Sequence, residues 1–324
     1  MSKWEYTKVV QNNTGAQFWG PGKTTLMNLP EFVYTVLLKR PPFRLAANAA
    51  IKTLLPKTVT VGEAIVWINP NDPVVSGALA FRVFERDEIS FFSSHFSRDM
   101  TLIDAGANVG LYTGIALSTK GFQGKILAIE PHGESRYFLQ KTIEHNRVSK
   151  QQSDIVVCDL AASDCTGTLG LHKNSQNKGD NRIYPHPLLE EQEVVATDTL
   201  DNICQRHGVE SVHFLKVDVQ GAEAKVISGA SNILKRSADC ILMTEFWPYG
   251  LSLSGSDAMD YLETLSRLGF TLYELRKKDK GMDSIDSPRE LISRTQGRKY
   301  RNLIGLKGRF AERNANKALH PINH

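Results

Sequence analysis

The chain has 324 residues, 41% hydrophobic and 23% charged, which is enough apolar material for one large core or a core with a smaller companion. No apolar run approaches the roughly 20 residues that cross a bilayer, and the amino end, "MSKWEYTKVVQNNTG", has no signal-peptide stretch, so the expected compartment is the cytoplasm. Charge is unevenly spread: residues 1–57 carry 8 Lys/Arg against 2 Asp/Glu, 276–324 carry 13 against 5, and 58–275 hold 18 against 28. Basic ends suit nucleic acid, anionic lipid or a phosphorylated carrier, but they are also ordinary solvated surface; nucleic acid is not expected.

In chain order, "GPGKTTLM" (20–27) invites comparison with a phosphate-cradling loop. That pattern needs an earlier glycine where Gln17 stands, and a buried strand to deliver it. Only Gly22-Lys23-Thr24 fits, so Pro21-Gly22 reads as a turn. "LPEFVYTVLLKR" and "FRLAANAAIKTLL" are short amphipathic helical patterns separated by Pro41-Pro42. With Lys39, Arg40, Arg44, Lys52 and Lys57 they form a basic accessory segment, 1–57, that either packs on the main domain or lies on an anionic membrane at its inner surface. "TVTVGEAIVWIN" (58–69) alternates as a strand pair around Gly62, and "VSGALAFRVFERDEISFF" reads as one helix.

From residue 100 the pattern becomes rhythmic. Apolar strand-like runs at 101–105, 125–130, 154–159, 213–219 and 240–246 alternate with helical patterns at 109–119, 133–146, 199–207, 222–236 and 256–268. Continuous apolar strands alternating with helices predict a doubly wound, mostly parallel α/β domain, Rossmann-like, over 58–275. Its insertion, around 161–198, has a polar middle (172–192) between the strand patterns "GTLGLH" and "EVVAT". "FTLYELR" and the distant "NLIGLKG", in the basic segment 276–324, are expected to form a closing antiparallel pair. Cys158, Cys165, Cys204 and Cys240 show no paired spacing and are expected as reduced thiols without zinc.

Each of the five strand runs ends on an acid: "TLID" at Asp104, "KILAIE" at Glu130, "DIVVCD" at Asp159, "FLKVD" at Asp218 and "CILMTE" at Glu245. Ligands of open α/β sheets bind outside the carboxyl ends of the strands, so these acids should share one edge. An acidic edge disfavours the pyrophosphate of a dinucleotide. The loop "DAGANVG" agrees, because Asn108 interrupts the G-x-G-x-x-G spacing of a nicotinamide fingerprint. A ligand with an ammonium, a sulfonium, a ribose diol and an adenine amine suits the acids, and S-adenosylmethionine has all four.

"LIDAGANVGLYT", "AIEPHGESRYFLQKTIEHN", "ATDTLD", "FLKVDVQGAEAKVISGA" and the acid of "MTEFWP" together resemble the FkbM family of S-adenosylmethionine-dependent methyltransferases, over roughly residues 60–275. The chain departs at Gln220, where that family usually has an acid in "DVEGAE". Resemblance and strand geometry together imply that Asp104, Gly106, Asn108 and Gly110 hold the methionine part, Glu130 the ribose hydroxyls and Asp159 the adenine amine.

Lys216 and Asp218 share a face of the fourth strand, either positioning donor and acceptor or forming a structural pair. Glu223 serves the site or the helix dipole. His132 and Glu245 are candidate bases for an acceptor hydroxyl. A Mg²⁺ site at Asp218 and Glu245 is the alternative use of those acids, unsupported by any close spacing, and no metal is expected. The implied activity is O-methylation of a saccharide or secondary metabolite. A nicotinamide oxidoreductase and a noncatalytic cofactor- or glycan-binding module are the alternatives.

Overall fold

The computed structural model describes residues 55–80, 84–147, 154–173, 181–184, 191–276, 281–297 and 299–319. The two amphipathic patterns before residue 55 and the Gly22-Lys23-Thr24 turn lie outside them.

The expected strand pair is a hairpin, β1 (Thr58–Val61) and β2 (Ala64–Trp67), turned at Gly62 with φ 59°. The stretch read as one helix is two, α1 (Pro73–Ala80) and α2 (Arg86–His95). Glu85 takes a left-handed backbone (φ 41°, ψ 42°) at the start of α2, a conformation no continuous helix contains.

The alternating region follows as β3 (Leu102–Ala105), α3 (Leu111–Ser118), β4 (Lys125–Ile129), α4 (Gly133–Asn146) and β5 (Asp154–Cys158). The insertion contributes β6 (Ala161–Ala162), β7 (Gly167–Lys173) and β8 (Glu191–Asp198), a separate three-stranded sheet. Then come α5 (Leu200–Arg206) and β9 (Phe214–Val217). The helix expected at 222–236 is broken into α6 (Glu223–Ser228) and α7 (Ser231–Arg236). At the break, a side chain on Gly229 would meet the Ser163 carbonyl oxygen at 2.1 Å, and the Gly229 carbonyl accepts the Asp201 N–H at 2.9 Å. The joint between the helices therefore presses against the insertion and against α5.

β10 (Cys240–Phe246) leads to α8 (Pro248–Leu253), unforeseen in the sequence and begun by Pro248, then α9 (Ala258–Arg267) and β11 (Thr271–Leu275). β12 (Met282–Ser284), also unforeseen, α10 (Pro288–Arg294), β13 (Arg301–Lys307) and α11 (Arg309–Leu319) complete the described elements.

The main sheet has the order β12-β11-β13-β10-β9-β3-β4-β5, parallel from β10 through β5. The expected closing pair forms as antiparallel β11 and β13, and β13 also pairs antiparallel with β10. Residues 301–307 of the basic C-terminal segment thus lie inside the main sheet. Neighbouring residues on one strand feed opposite cores: Leu102, Ile126, Phe214 and Ile241 pack on one face, Ile103, Leu127, Leu215 and Leu242 on the other. Two covered faces explain why these strands read as unbroken apolar runs. The chain runs outward from β3 through β4 to β5 and then returns to β9 on the other side of β3, so the strand order switches direction between β3 and β9. A crevice opens at such a point.

Candidate active site

Residues following β3 form the floor of that crevice. Gly106 and Ala107 donate their N–H groups to the Ile129 carbonyl, both at 3.0 Å, tying the loop to β4. Gly106 has φ 82°, and a Cβ there would meet the Asp218 carbonyl oxygen at 1.9 Å. Only glycine fits. Asn108 is left-handed too, φ 48°, and its N–H donates to Glu130 Oε2 at 2.9 Å, while the His132 N–H donates to Glu130 Oε1 at 2.8 Å. Both carboxylate oxygens of a buried acid are thereby fixed. Burial pushes the Glu130 carboxyl up to about 7, against the pull of those two N–H groups and of Arg136.

Across the crevice, Asp218 follows β9. Its Oδ2 lies 3.2 Å from Lys216 Nζ and its Oδ1 accepts from Gln220 Nε2 at 2.9 Å. At Gln220, then, an amide donates to Asp218 where an acid would repel it. Lys216 is buried, which by itself would lower its pKa, but the carboxylates of Asp218, Glu85 and Asp104 more than offset this and hold the ammonium charged. Glu223 is fully buried, and its Oε1 accepts the N–H groups of Val219 (3.2 Å) and Gly221 (3.0 Å), shaping the loop after Asp218; burial pushes its carboxyl up to about 7.

The insertion supplies the third wall. Tyr184 donates its hydroxyl to the Gln220 carbonyl at 2.5 Å, and the Arg182 guanidinium lies 4.8 Å from the Trp247 ring centre. Together these elements border a cleft, open to solvent, lined by Gly106, Asn108, Ile129, Glu130 and Pro131 on the β3–β4 side, Asp218, Val219 and Gln220 opposite, and Ala161, Ala162, Leu171, Asn181 and Ile183 from the insertion.

Of the acids expected on this edge, Glu130 and Asp218 line the cleft. Asp104 sits beneath it, 1% exposed, with Oδ2 accepting from the Thr113 hydroxyl (2.7 Å) and N–H (3.2 Å) at the start of α3; burial raises its carboxyl. Gly110, φ 84°, brings α3 against α4, since a Cβ there would meet Leu139 Cδ1 at 2.7 Å. Asp159 turns away: it is exposed and paired with Arg136 Nη1 at 2.6 Å. His132 is the N-cap of α4, its Nδ1 accepting the Ser135 N–H at 3.4 Å. The Glu245 side chain makes no hydrogen bond among the described residues, and burial, with Asp218 and Glu223 nearby, raises its carboxyl well above the usual range.

Sequence reasoning missed the insertion residues on the cleft wall, and also Glu85 and Tyr112. The acidic run "ERDE" is a helix-start signal that could have marked Glu85.

Residues 104–272 match the methyltransferase FkbM domain. A Beauveria bassiana (strain ARSEF 2860) protein described as "Methyltransferase 1" is 30% identical over 153 residues, 41% of this chain and 59% of that protein, so the chain spans under two thirds of its curated relative. Among solved structures, a methyltransferase FkbM from Methylobacillus flagellatus KT aligns over 81% of this chain and 58% of its own, at 15% identity and a TM-score of 0.41. The M. jannaschii protein TYW2 in complex with AdoMet aligns over 77% and 84%, at 8% identity and 0.39. The FkbM match takes in half of the chain and includes the β3 loop, Glu130, Asp218 and Glu245, so this protein belongs to the methyltransferase FkbM domain family.

Proposed function

We propose that the chain methylates a hydroxyl of a saccharide or secondary metabolite, with S-adenosylmethionine held in the cleft between β3, β4 and β9. The observation that carries this reading is Glu130: a buried carboxylate with both oxygens fixed by backbone N–H groups, at the rim of a loop that only glycine can build at position 106. A carboxylate so held keeps lone pairs for a vicinal diol, the chemistry of a ribose. Gly106 and Asn108 give close backbone approach beside it.

S-adenosylmethionine supplies a methyl group already activated by positive sulfur, so the protein's main task is alignment. Asp218, oriented by Lys216 on one oxygen and Gln220 on the other, lines the cleft beside Gly106 and is our candidate for orienting the acceptor hydroxyl and taking up its proton. His132 fits that task less well, since its Nδ1 already accepts the Ser135 N–H. Glu245, its carboxyl raised by burial with Asp218 and Glu223 nearby, is the other candidate base. For Asp159 the Arg136 ion pair gives a sufficient structural role, and the apolar wall of Ala161, Ala162, Leu171 and Ile183 is the better surface for an adenine ring.

Calorimetry with S-adenosylmethionine and with NAD on the wild-type chain and on Glu130→Ala tests the donor site. Mass spectrometry of glycans and metabolites from cells with and without the protein tests the acceptor, the expected product being heavier by one methylene. Absence of S-adenosylmethionine binding, or its survival in Glu130→Ala, overturns the site; absence of any such mass difference overturns the acceptor class.

A further inference from the structure

Among the described residues three that are not glycine have a left-handed backbone: Asn108 (φ 48°), Gln220 (φ 55°) and Glu85 (φ 41°). The first two line the cleft. Such conformations are uncommon and gather at functional sites, which directs attention to the third. Glu85 stands at the start of α2, before the matched family segment begins at residue 104.

Contacts connect it to the cleft. Glu85 Oε2 accepts the Tyr112 hydroxyl at 2.6 Å, the Tyr112 ring centre lies 4.9 Å from Lys216 Nζ, and that Nζ lies 3.2 Å from Asp218 Oδ2. One turn further along α2, Glu88 accepts from Asn302 Nδ2, and Asn302 is the cross-strand partner of Glu245. The start of α2 is therefore pinned over the carboxyl ends of β9 and β10.

Among the described residues the charges at this end of the site do not balance. Glu85 faces Glu88 on its own helix, Tyr112 on α3, Lys216 and Asp218 at β9, Glu245 on β10 and Tyr300 before β13. Lys216 is the one cation in that set. Asp104, its register neighbour on β3, keeps Oδ1 buried with no hydrogen-bond partner. A ligand bearing positive charge compensates the excess of carboxylates, and a neutral ligand does not.

We propose that Glu85 is a positioning residue for the methyl donor, acting through Tyr112 and Lys216 to make the site prefer a cationic sulfonium over the neutral thioether left after transfer. The inference rests on the cleft being the S-adenosylmethionine site. Transfer breaks the carbon–sulfur bond, leaves its electron pair on sulfur and forms the carbon–oxygen bond as the hydroxyl proton passes to Asp218. The sulfur thereby loses its charge, and with it the attraction of Glu85, which favours product release.

The test needs no acceptor. Calorimetry gives the dissociation constants of S-adenosylmethionine and S-adenosylhomocysteine for the full chain at pH 6 and pH 8. The two ligands share every other charged group, so their ratio isolates the sulfur. Burial pushes the Glu85 carboxyl up to about 7, so it is mostly neutral at the lower pH and mostly ionised at the higher. The preference for the sulfonium is expected to rise with pH in the wild type. In Glu85→Gln it falls by about three- to tenfold at pH 8, as loss of one nearby charge in a protein environment predicts, and its rise with pH is smaller than in the wild type. Tyr112→Phe removes a bond that lowers the Glu85 pKa, so its rise shifts to higher pH; this variant serves if Glu85→Gln does not fold. An unchanged ratio in folded Glu85→Gln, or an unshifted rise in Tyr112→Phe, overturns the inference. Failure of the wild type to bind either ligand overturns instead the reading of the cleft on which it rests.

Discussion

Gly106→Ala tests the site at its tightest point, with Gly62→Ala as its internal control. Both glycines have positive φ, 82° and 59°, so alanine pays the left-handed cost of about 1–2 kcal/mol at either position, less about 0.4–1 kcal/mol recovered by stiffening the unfolded chain. They differ in what surrounds them. Nothing lies within 4 Å of a Cβ at Gly62, whereas at Gly106 the Asp218 carbonyl oxygen is 1.9 Å away and its carbon 2.9 Å. Both obstacles are backbone. Opening that contact to ordinary van der Waals distance requires a shift of about 1.5 Å between the loops after β3 and β9. The shift strains the Gly106 N–H bond to Ile129 and the Asp218 N–H bond to Ala105, both 3.0 Å, each worth about 1 kcal/mol. Gly106→Ala is thus expected to cost about 2–4 kcal/mol and to lower the melting temperature by about 3–6 °C. Gly62→Ala is expected to lower it by no more than a few degrees. Thermal unfolding followed by circular dichroism measures both, and calorimetry should show S-adenosylmethionine binding lost only in Gly106→Ala. If the two variants melt together, or Gly106→Ala keeps its donor affinity, the close approach of these loops does not shape the site.

Three further outcomes are expected. Glu130→Ala deletes two carboxylate acceptors for hydroxyls, worth roughly 1.5–3 kcal/mol each, so donor affinity by calorimetry should drop about 10²-fold or more; unchanged affinity excludes Glu130. Asp218→Asn keeps shape and removes charge, so incorporation of labelled methyl into the acceptor should fall about tenfold or more with little change in melting; full activity refutes its assigned role. The carboxyls of Glu130 and Glu223 are pushed by burial from 4.5 to about 7, so between those values the folded chain holds protons that the unfolded chain releases. The stability they contribute is complete below pH 4.5 and is lost as pH rises through 7, by about 3 kcal/mol per group. Urea unfolding at pH 5 and pH 8 should show a smaller difference in Glu223→Gln than in wild type, and an equal one contradicts the linkage.

What the amino-acid sequence determined by itself is whatever short-range pattern encodes. The apolar runs of β3, β4, β5, β9 and β10 are visible because a strand buried on both faces needs no alternation. The acids ending them are visible because strand ends are local, and the β3 loop because Gly106 and Gly110 answer a backbone demand at their own positions. Tertiary structure decided what those side chains meet. Asp159 ends its strand as Glu130 does, yet its carboxylate is ion-paired with Arg136, one turn into α4, whereas the Glu130 carboxylate is held by backbone N–H groups. His132 looks like a base beside Glu130 until the start of α4 takes its ring as a cap. β13 enters the sheet between β10 and β11 from far along the chain, and Glu85 reaches the site through Tyr112 and Lys216, each on a different element. Hydrogen bonds and ion pairs across such separations depend on how packed layers juxtapose side chains, and no periodicity within a single segment records that.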